Sequence, residues 1–315
     1  MIANSLITVG LNPAIDCVVR CDGFQVGQVN TGLQVARIAA GKAANVTRAL
    51  ALLGQDVLAM GFMGDYDSPF FKEQLHKLGP GAVACHFKLL PQTTRQNITV
   101  LDRSGETHIR LKGFDVTEHD IAALEKSLRE MVHAGDVVIF SGSLPQGLTA
   151  DRFGDLLNLA LALGAKVAVD TAGAALAVAL SKPIWLAKPN AEELAQAWGT
   201  GALETVQDIK ASARSRGCNV ENLVVSRGKL GAVLVSEGES LSGHVPVQER
   251  VIRTVACGDH LLAGFVDAVR RGKSPAQALA EGLALASARA VSEDLEIFDS
   301  EKYFRLLEQV HVARV

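Results

Sequence analysis

Residues 254–265 read TVACGDHLLAGF, a run of small residues and one acid followed directly by an apolar stripe. Leu261, Leu262, Phe265 and Val269 recur at helical spacing, so a helix is predicted to begin near Gly258. The first turn of a helix leaves backbone N–H groups without intrahelical partners, and the macrodipole adds roughly half a positive charge there. Ala256, Cys257 and Gly258 are small enough for a bulky anion to approach those amides closely. Asp259, in the same turn, is then either a plain helix cap or a proton acceptor beside an anion pocket. These residues alone do not separate the two.

The rest of the chain narrows the choice. With 315 residues, 48% of them hydrophobic, the chain can bury a large core. A formal net charge of −3 argues against general nucleic-acid binding, so affinity for phosphate must come from a few placed groups. The five cysteines, Cys17, Cys21, Cys85, Cys218 and Cys257, show no spacing of a zinc site or disulfide framework, which fits a reducing cytoplasm. No apolar run reaches membrane-spanning length and no secretory leader opens the chain, so it reads as soluble and unprocessed.

Short apolar runs, LITVG from Leu6, VLAMGF from Val57, VVIFSGS from Val137, KVAVD from Lys166 and NLVVSRG from Asn222, are predicted strands. Helical patterns at 42–53, 118–132 and 151–163 lie between them. That alternation predicts an α/β fold with a mostly parallel sheet covered by helices on both faces. Two segments break it: 17–38 and 94–111 alternate polar and apolar residues around Gly23, Gly27, Gly32 and Gly105. They are predicted to pair into a small sheet standing off the main one as a lid inserted in a single domain, or else to form two surface hairpins.

Two nucleotide motifs are excluded. ARIAAGKAA carries Gly41 and Lys42, but Ala36 stands where a P-loop needs its first glycine and Ala43 where it needs Ser or Thr. No G-x-G-x-x-G follows the first strand. Other pieces agree with one another. LNPAID places Asn12 and Asp16 beyond the carboxyl end of a central strand, the usual ligand edge, where an acid can bind sugar hydroxyls. Lys42 and Asn45 open a helix, and Arg95 lies in the second lid segment; a cation at a helix start is disfavoured unless an anion is present. SGSLPQG, from Ser141, is a rigid turn on the same edge. KPNAEEL, from Lys188, offers Asn190 and Glu193, suited either to a hydrated Mg²⁺ or to a capping arrangement. SRGKLG, Ser226 to Gly231, suits a nucleotide loop or a hairpin turn.

In this order, TVGLNPAID, AAGKAANVTRAL, TRQN, SGSLPQG, KPNAEEL, SRGKLG and TVACGDHLLAGF resemble the successive motifs of the ribokinase-like PfkB carbohydrate kinases along essentially the whole chain. The similarity is greatest to their hexose-phosphate branch, the 1-phosphofructokinases and tagatose-6-phosphate kinases. The resemblance implies a Rossmann-like sheet with a β lid that in many members mediates dimers. It implies ATP and Mg²⁺ as cofactors, a sugar phosphate as substrate, and neither nucleic acid nor membrane as partner. By the same resemblance Asp259 is the catalytic base, and Ala256, Cys257 and Gly258 form the anion hole. Asn12, Asp16, Gly41, Asn45 and Ser141 face the sugar, and Lys42 and Arg95 its phosphate. Lys188, Asn190, Ser226, Gly228 and Gly231 serve the nucleotide, and Asn190 with Glu193 the metal.

The chain departs from that pattern at Ala43 and Ala256, where the family has glycine, and at His260, where it has a small or hydroxyl residue. Ala256 fits an anion loop without strain only if its φ is negative, and His260 is expected to be a packed, neutral side chain. Fructose 1-phosphate is the expected acceptor, on the added likeness of GQVNTG and KGFDVT to the 1-phosphofructokinases. Tagatose 6-phosphate, an unphosphorylated sugar or nucleoside, and a catalytically weak ligand sensor are the competing readings.

Overall fold

The computed structural model describes residues 4–77, 79–103, 105–246, 250–294 and 296–315. Ser104, inside the second predicted lid segment, lies outside them. The chain runs β1 (Leu6–Gly10), β2 (Ala14–Arg20), β3 (Leu33–Ala40), α1 (Lys42–Leu52), β4 (Val57–Gly64), α2 (Ser68–His76), β5 (Val83–Leu90), β6 (Arg95–Asp102), β7 (Gly105–Arg110) and α3 (Glu118–Met131). It continues through β8 (Val137–Ser141), α4 (Ala150–Ala162), β9 (Lys166–Asp170), α5 (Gly173–Leu180), β10 (Leu186–Ala187), α6 (Ala191–Trp198), α7 (Val206–Ser215) and β11 (Asn222–Ser226). It closes with β12 (Ala232–Ser236), β13 (Glu239–His244), α8 (Cys257–Arg270), α9 (Pro275–Ala290), α10 (Ser300–Leu307) and β14 (His311–Arg314).

Among the described residues the main sheet has ten strands in the order β14-β13-β12-β11-β10-β9-β8-β1-β4-β5. The run from β11 to β5 is parallel, and β12, β13 and β14 add antiparallel strands at one side. β1 lies between β8 and β4 and is buried over its whole length. Ile7 and Val9 pack into one core layer with residues of α3, α4 and α5, and Leu6 into the other with residues of α1, α8 and α9. A strand covered on both faces must be apolar throughout, which is why LITVG carries no alternation. Its one hydroxyl, Thr8, is 2.7 Å from that of Thr47 on α1, a polar pair that leaves neither group unsatisfied in the core.

A second, four-stranded sheet has the order β3-β2-β6-β7. It is assembled from the two polar-alternating segments, with β2 and β6 parallel at its centre. Because β8, β9 and β11 are parallel to β1, their carboxyl ends open on one edge of the main sheet. The second sheet leaves the main one at that edge, where β1 passes through Leu11–Pro13 into β2.

Candidate active site

α8 starts at Cys257, one residue before the predicted position, and its N-cap is Ala256, which makes no side-chain cap hydrogen bond. The first intrahelical bond runs from His260 N to Ala256 O (3.0 Å), so the amides of Cys257 and Gly258 have no acceptor within the helix. Asp259 does not cap the helix. Its Oδ2 instead accepts a hydrogen bond from Asn45 Nδ2 on α1 at 2.7 Å. Burial pushes the Asp259 carboxyl up to about 7; the nearby Asp170 charge adds to this, and Asn45, Lys188 and Lys42 oppose it. A carboxyl held near neutrality beside free helix-end amides can take a proton while those amides receive an anion.

Asp170, at the end of β9, is fully buried between two ammonium groups: Lys42 Nζ is 2.8 Å from Oδ1 and Lys188 Nζ 3.3 Å from Oδ2. Burial would raise its carboxyl, but the two lysines outweigh that and hold it below the usual range. Lys188 also reaches the start of α8. A Cβ on Gly258 would lie 3.1 Å from Lys188 Nζ, so glycine keeps the space between ammonium and helix end clear. Lys42 Nζ is also 3.6 Å from Glu193 Oε1. Burial opposes its charge, yet Asp170 and Glu193 keep the ammonium firmly protonated.

The predicted acceptor-site residues gather in part. Asn12, Gly41, Lys42 and Ser141 line one cavity beside β1. Asn12 Nδ2 donates to Ser143 Oγ (3.1 Å) and the Leu144 carbonyl (3.3 Å). Asn12 Oδ1 and Ser141 Oγ are buried without a partner. Gly41 has φ 100° and a Cβ there would press on the Pro13–Ala14 backbone, so the turn into α1 requires glycine. Asp16 Oδ1 accepts from Asn97 Nδ2 at 2.7 Å. Burial raises its carboxyl, partly offset by Asn97 and by the charges of Arg95, Arg48 and Arg110. Arg95 donates to the carbonyls of Asn12 and Pro13 at 3.2 to 3.3 Å.

Lys42, expected on the sugar's phosphate with Arg95, has its ammonium on Asp170 and Glu193. Arg110, cross-strand neighbour of Asn97, adds its charge near both Arg95 and Asp16. Asn190 and Glu193 form a reciprocal capping box at the start of α6: Asn190 Oδ1 accepts from Glu193 N (2.7 Å) and Glu193 Oε2 from Asn190 N (2.9 Å). Among the described residues no group of three His, Cys, Asp or Glu side chains is placed to hold a metal.

Lys188, predicted on the nucleotide, sits between Asp170 and Gly258. Ala256 has φ 68°, so the condition of negative φ fails; it is the non-glycine residue in the left-handed region among those described. Ala43 is different: it lies inside α1 and needs no special backbone.

His260 is packed and neutral as expected. Its Nδ1–H donates to the Ala256 carbonyl at 2.8 Å, its ring meets Phe298 edge-on, and burial drops its pKa to about 3. Burial likewise pushes the Cys257 thiol up to about 11, so it is no nucleophile at neutral pH. Ser226 and Asn190 are bridged through their backbones, and Gly228 and Gly231 (φ 56° and 81°) bound a short 3₁₀ turn, so the SRGKLG loop abuts the α6 cap. The sequence reading gave no role to Asp170, Arg48, Asn97 or Arg110. Arg48 and Asn97 lay inside the quoted AAGKAANVTRAL and TRQN, and Asp170 is the acid ending the KVAVD strand on the ligand edge.

An α/β fold with an acid beside an anion-ready helix end, and lysines converging on it, defines a phosphotransferase. The chain belongs to the pfkB family of carbohydrate kinases, whose pattern matches residues 3–297. It is 31% identical over 310 residues to a 1-phosphofructokinase of Vibrio cholerae, covering 98% of this chain and 96% of that one. It is 27% identical over 313 residues to a tagatose-6-phosphate kinase of Staphylococcus epidermidis, covering 98% and 100%. The fold superimposes on phosphofructokinase-2 from Escherichia coli with a TM-score of 0.87 at 23% identity, covering 96% and 98%. Among the described residues no helix is long and apolar enough to cross a membrane.

Proposed function

We propose that the protein is an ATP-dependent kinase of a ketohexose phosphate, converting fructose 1-phosphate to its 1,6-bisphosphate. The observation that carries this reading is the placement of Asp259, near neutral in pKa, at the open amides of α8 and bound to Asn45. In the reaction the acceptor hydroxyl gives its proton to Asp259 as its oxygen bonds the γ-phosphorus, and ADP leaves. The Cys257 and Gly258 amides and Lys188 stabilise charge on the transferring group, which is most of what phosphoryl transfer asks of a protein. Asp16, Asn12 and Ser141 bind sugar hydroxyls, with Arg95 and Arg110 on the phosphate already present. The Ser226–Gly231 loop receives the nucleotide.

Mg²⁺ would neutralise the ATP phosphates. The donor left for it is Glu193 Oε1, now on Lys42, since Asn190 Oδ1 is used by the α6 cap and the buried Asp170 carboxylate is shared by Lys42 and Lys188. Glu193 would hold a hydrated Mg²⁺ through its waters. The name of the Staphylococcus epidermidis relative supports tagatose 6-phosphate as the second candidate acceptor. An unphosphorylated acceptor would bring no anion to Arg95 and Arg110, whose charges would then act on Asp16.

The second sheet serves as the lid. Its outer strands carry exposed Leu33, Val35 and Ile109, and we propose that a second copy covers them in a homodimer. Free cysteines fit work in the cytoplasm. An ADP-release assay across fructose 1-phosphate, tagatose 6-phosphate, fructose and a nucleoside tests the reading. Turnover of the unphosphorylated compounds alone would refute it.

A further inference from the structure

Arg48 is 3% exposed, an arginine inside α1 to which no role above is given. Its Nη1 donates to Asn45 Oδ1 at 3.2 Å, one turn back on the helix. Its Nη2 donates to the Ala39 carbonyl at 2.7 Å and lies 3.7 Å from Glu296 Oε2. Asn45 therefore has a partner at each end of its amide, Arg48 at the oxygen and Asp259 at the nitrogen. Flipping that amide would set NH₂ against guanidinium and oxygen against carboxylate, two repulsive contacts in place of two hydrogen bonds. Buried arginines are costly unless their donors are used; here Nη1 and Nη2 are both used, while Nε is buried without a partner.

We infer that Arg48 is a positioning residue for phosphoryl transfer: it fixes the Asn45 amide so that Nδ2 holds the Asp259 carboxylate toward the acceptor. Ala39 lies on β3, the strand of the second sheet that feeds Gly41 and α1, so the same guanidinium ties the foot of that sheet to the base. Glu296 anchors it from the loop after α9. The inference rests on the reading of Asp259 as the base.

The test is a double-mutant cycle on kcat with Arg48→Met and Asn45→Ala, beside Asp259→Asn as reference. Arg48→Met should lower kcat about ten- to a hundredfold, the scale of a lost hydrogen bond to a charged group, with KM for ATP within about twofold. In the Asn45→Ala background it should lower kcat by less than about threefold, because the group it positions is gone. Arg48→Lys, which keeps the charge but not the fork, should restore kcat only in part. Equal factors in both backgrounds would mean that Arg48 acts through packing and would overturn the proposal while leaving Asp259 as the base. Full activity of Asp259→Asn would overturn both. If Arg48→Met does not fold, the same cycle run with Arg48→Lys decides between the same outcomes.

Discussion

Lys42 Nζ lies 2.8 Å from Asp170 Oδ1, joining the first residue of α1 to the last residue of β9. We propose that a lysine so engaged serves the transfer end of the site more than the sugar's existing phosphate. Lys42→Ala should therefore lower kcat and raise KM for ATP, with KM for the sugar phosphate changed by less. It should also destabilise the fold by about 1 to 3 kcal/mol, since Asp170 keeps only Lys188 as a counter-charge. Initial-rate kinetics with denaturant melts checks both. A rise confined to KM for the sugar phosphate would return Lys42 to the acceptor end.

Arg95 and Arg110 carry the opposite expectation. Both charges act on Asp16, and Arg110 is exposed on β7. Arg95→Ala or Arg110→Ala should raise KM for the phosphorylated sugar about ten- to a hundredfold and leave KM for ATP nearly unchanged. If Arg110→Ala alters neither constant, Arg110 is a solvated strand residue.

The left-handed backbone at Ala256 is a store of strain at the mouth of the anion hole. For an alanine that conformation costs roughly 1 to 2 kcal/mol, against roughly 0.5 to 1 kcal/mol for the extra unfolded-state freedom of glycine. Ala256→Gly should thus stabilise the protein by up to about 1 kcal/mol and leave kcat equal or higher. Ala43→Gly should do the reverse to stability, because Ala43 sits inside α1 where glycine is a poor helix former. Thermal melts of the two variants should move in opposite directions.

What the sequence made legible follows from which physics is local. The buried strands, the helices after them and the polar-alternating segments of the second sheet all have a period that can be counted. Asp259 was legible because a helix start, small residues and an acid adjoin one another. Its partner was not, since Asn45 stands 214 positions away and only the packing of α1 on α8 brings them together. Lys42 stayed ambiguous for the same reason: a cation at a helix start asks for an anion, and the sequence does not say whether that anion is a ligand or Asp170. At KPNAEEL the opposite happened, where the capping alternative was visible locally and the capping box is what forms.

Asp259→Asn keeps the side chain's size and its hydrogen bond to Asn45 within reach, and removes the proton acceptor. Loss of a general base costs about a hundred- to ten-thousandfold in rate, so kcat should fall on that scale while both substrates still bind. The wild-type rate should rise with pH through about 7 as the carboxyl ionises, and the variant should lose that limb. Stability moves the other way. The folded Asp259 holds its proton up to about 7, whereas in the unfolded chain it leaves near the ordinary aspartate value of 3.8. Between those values the unfolded state binds fewer protons, so this group's contribution to stability, full below the lower value, is lost as pH rises to the upper one. Asn cannot ionise, so the melting temperature of the variant relative to wild type should climb across that window and then level off. A variant that keeps most of its kcat would mean that Asp259 is not the base, and a relative melting temperature flat with pH would mean that it is not a carboxyl held protonated by its burial.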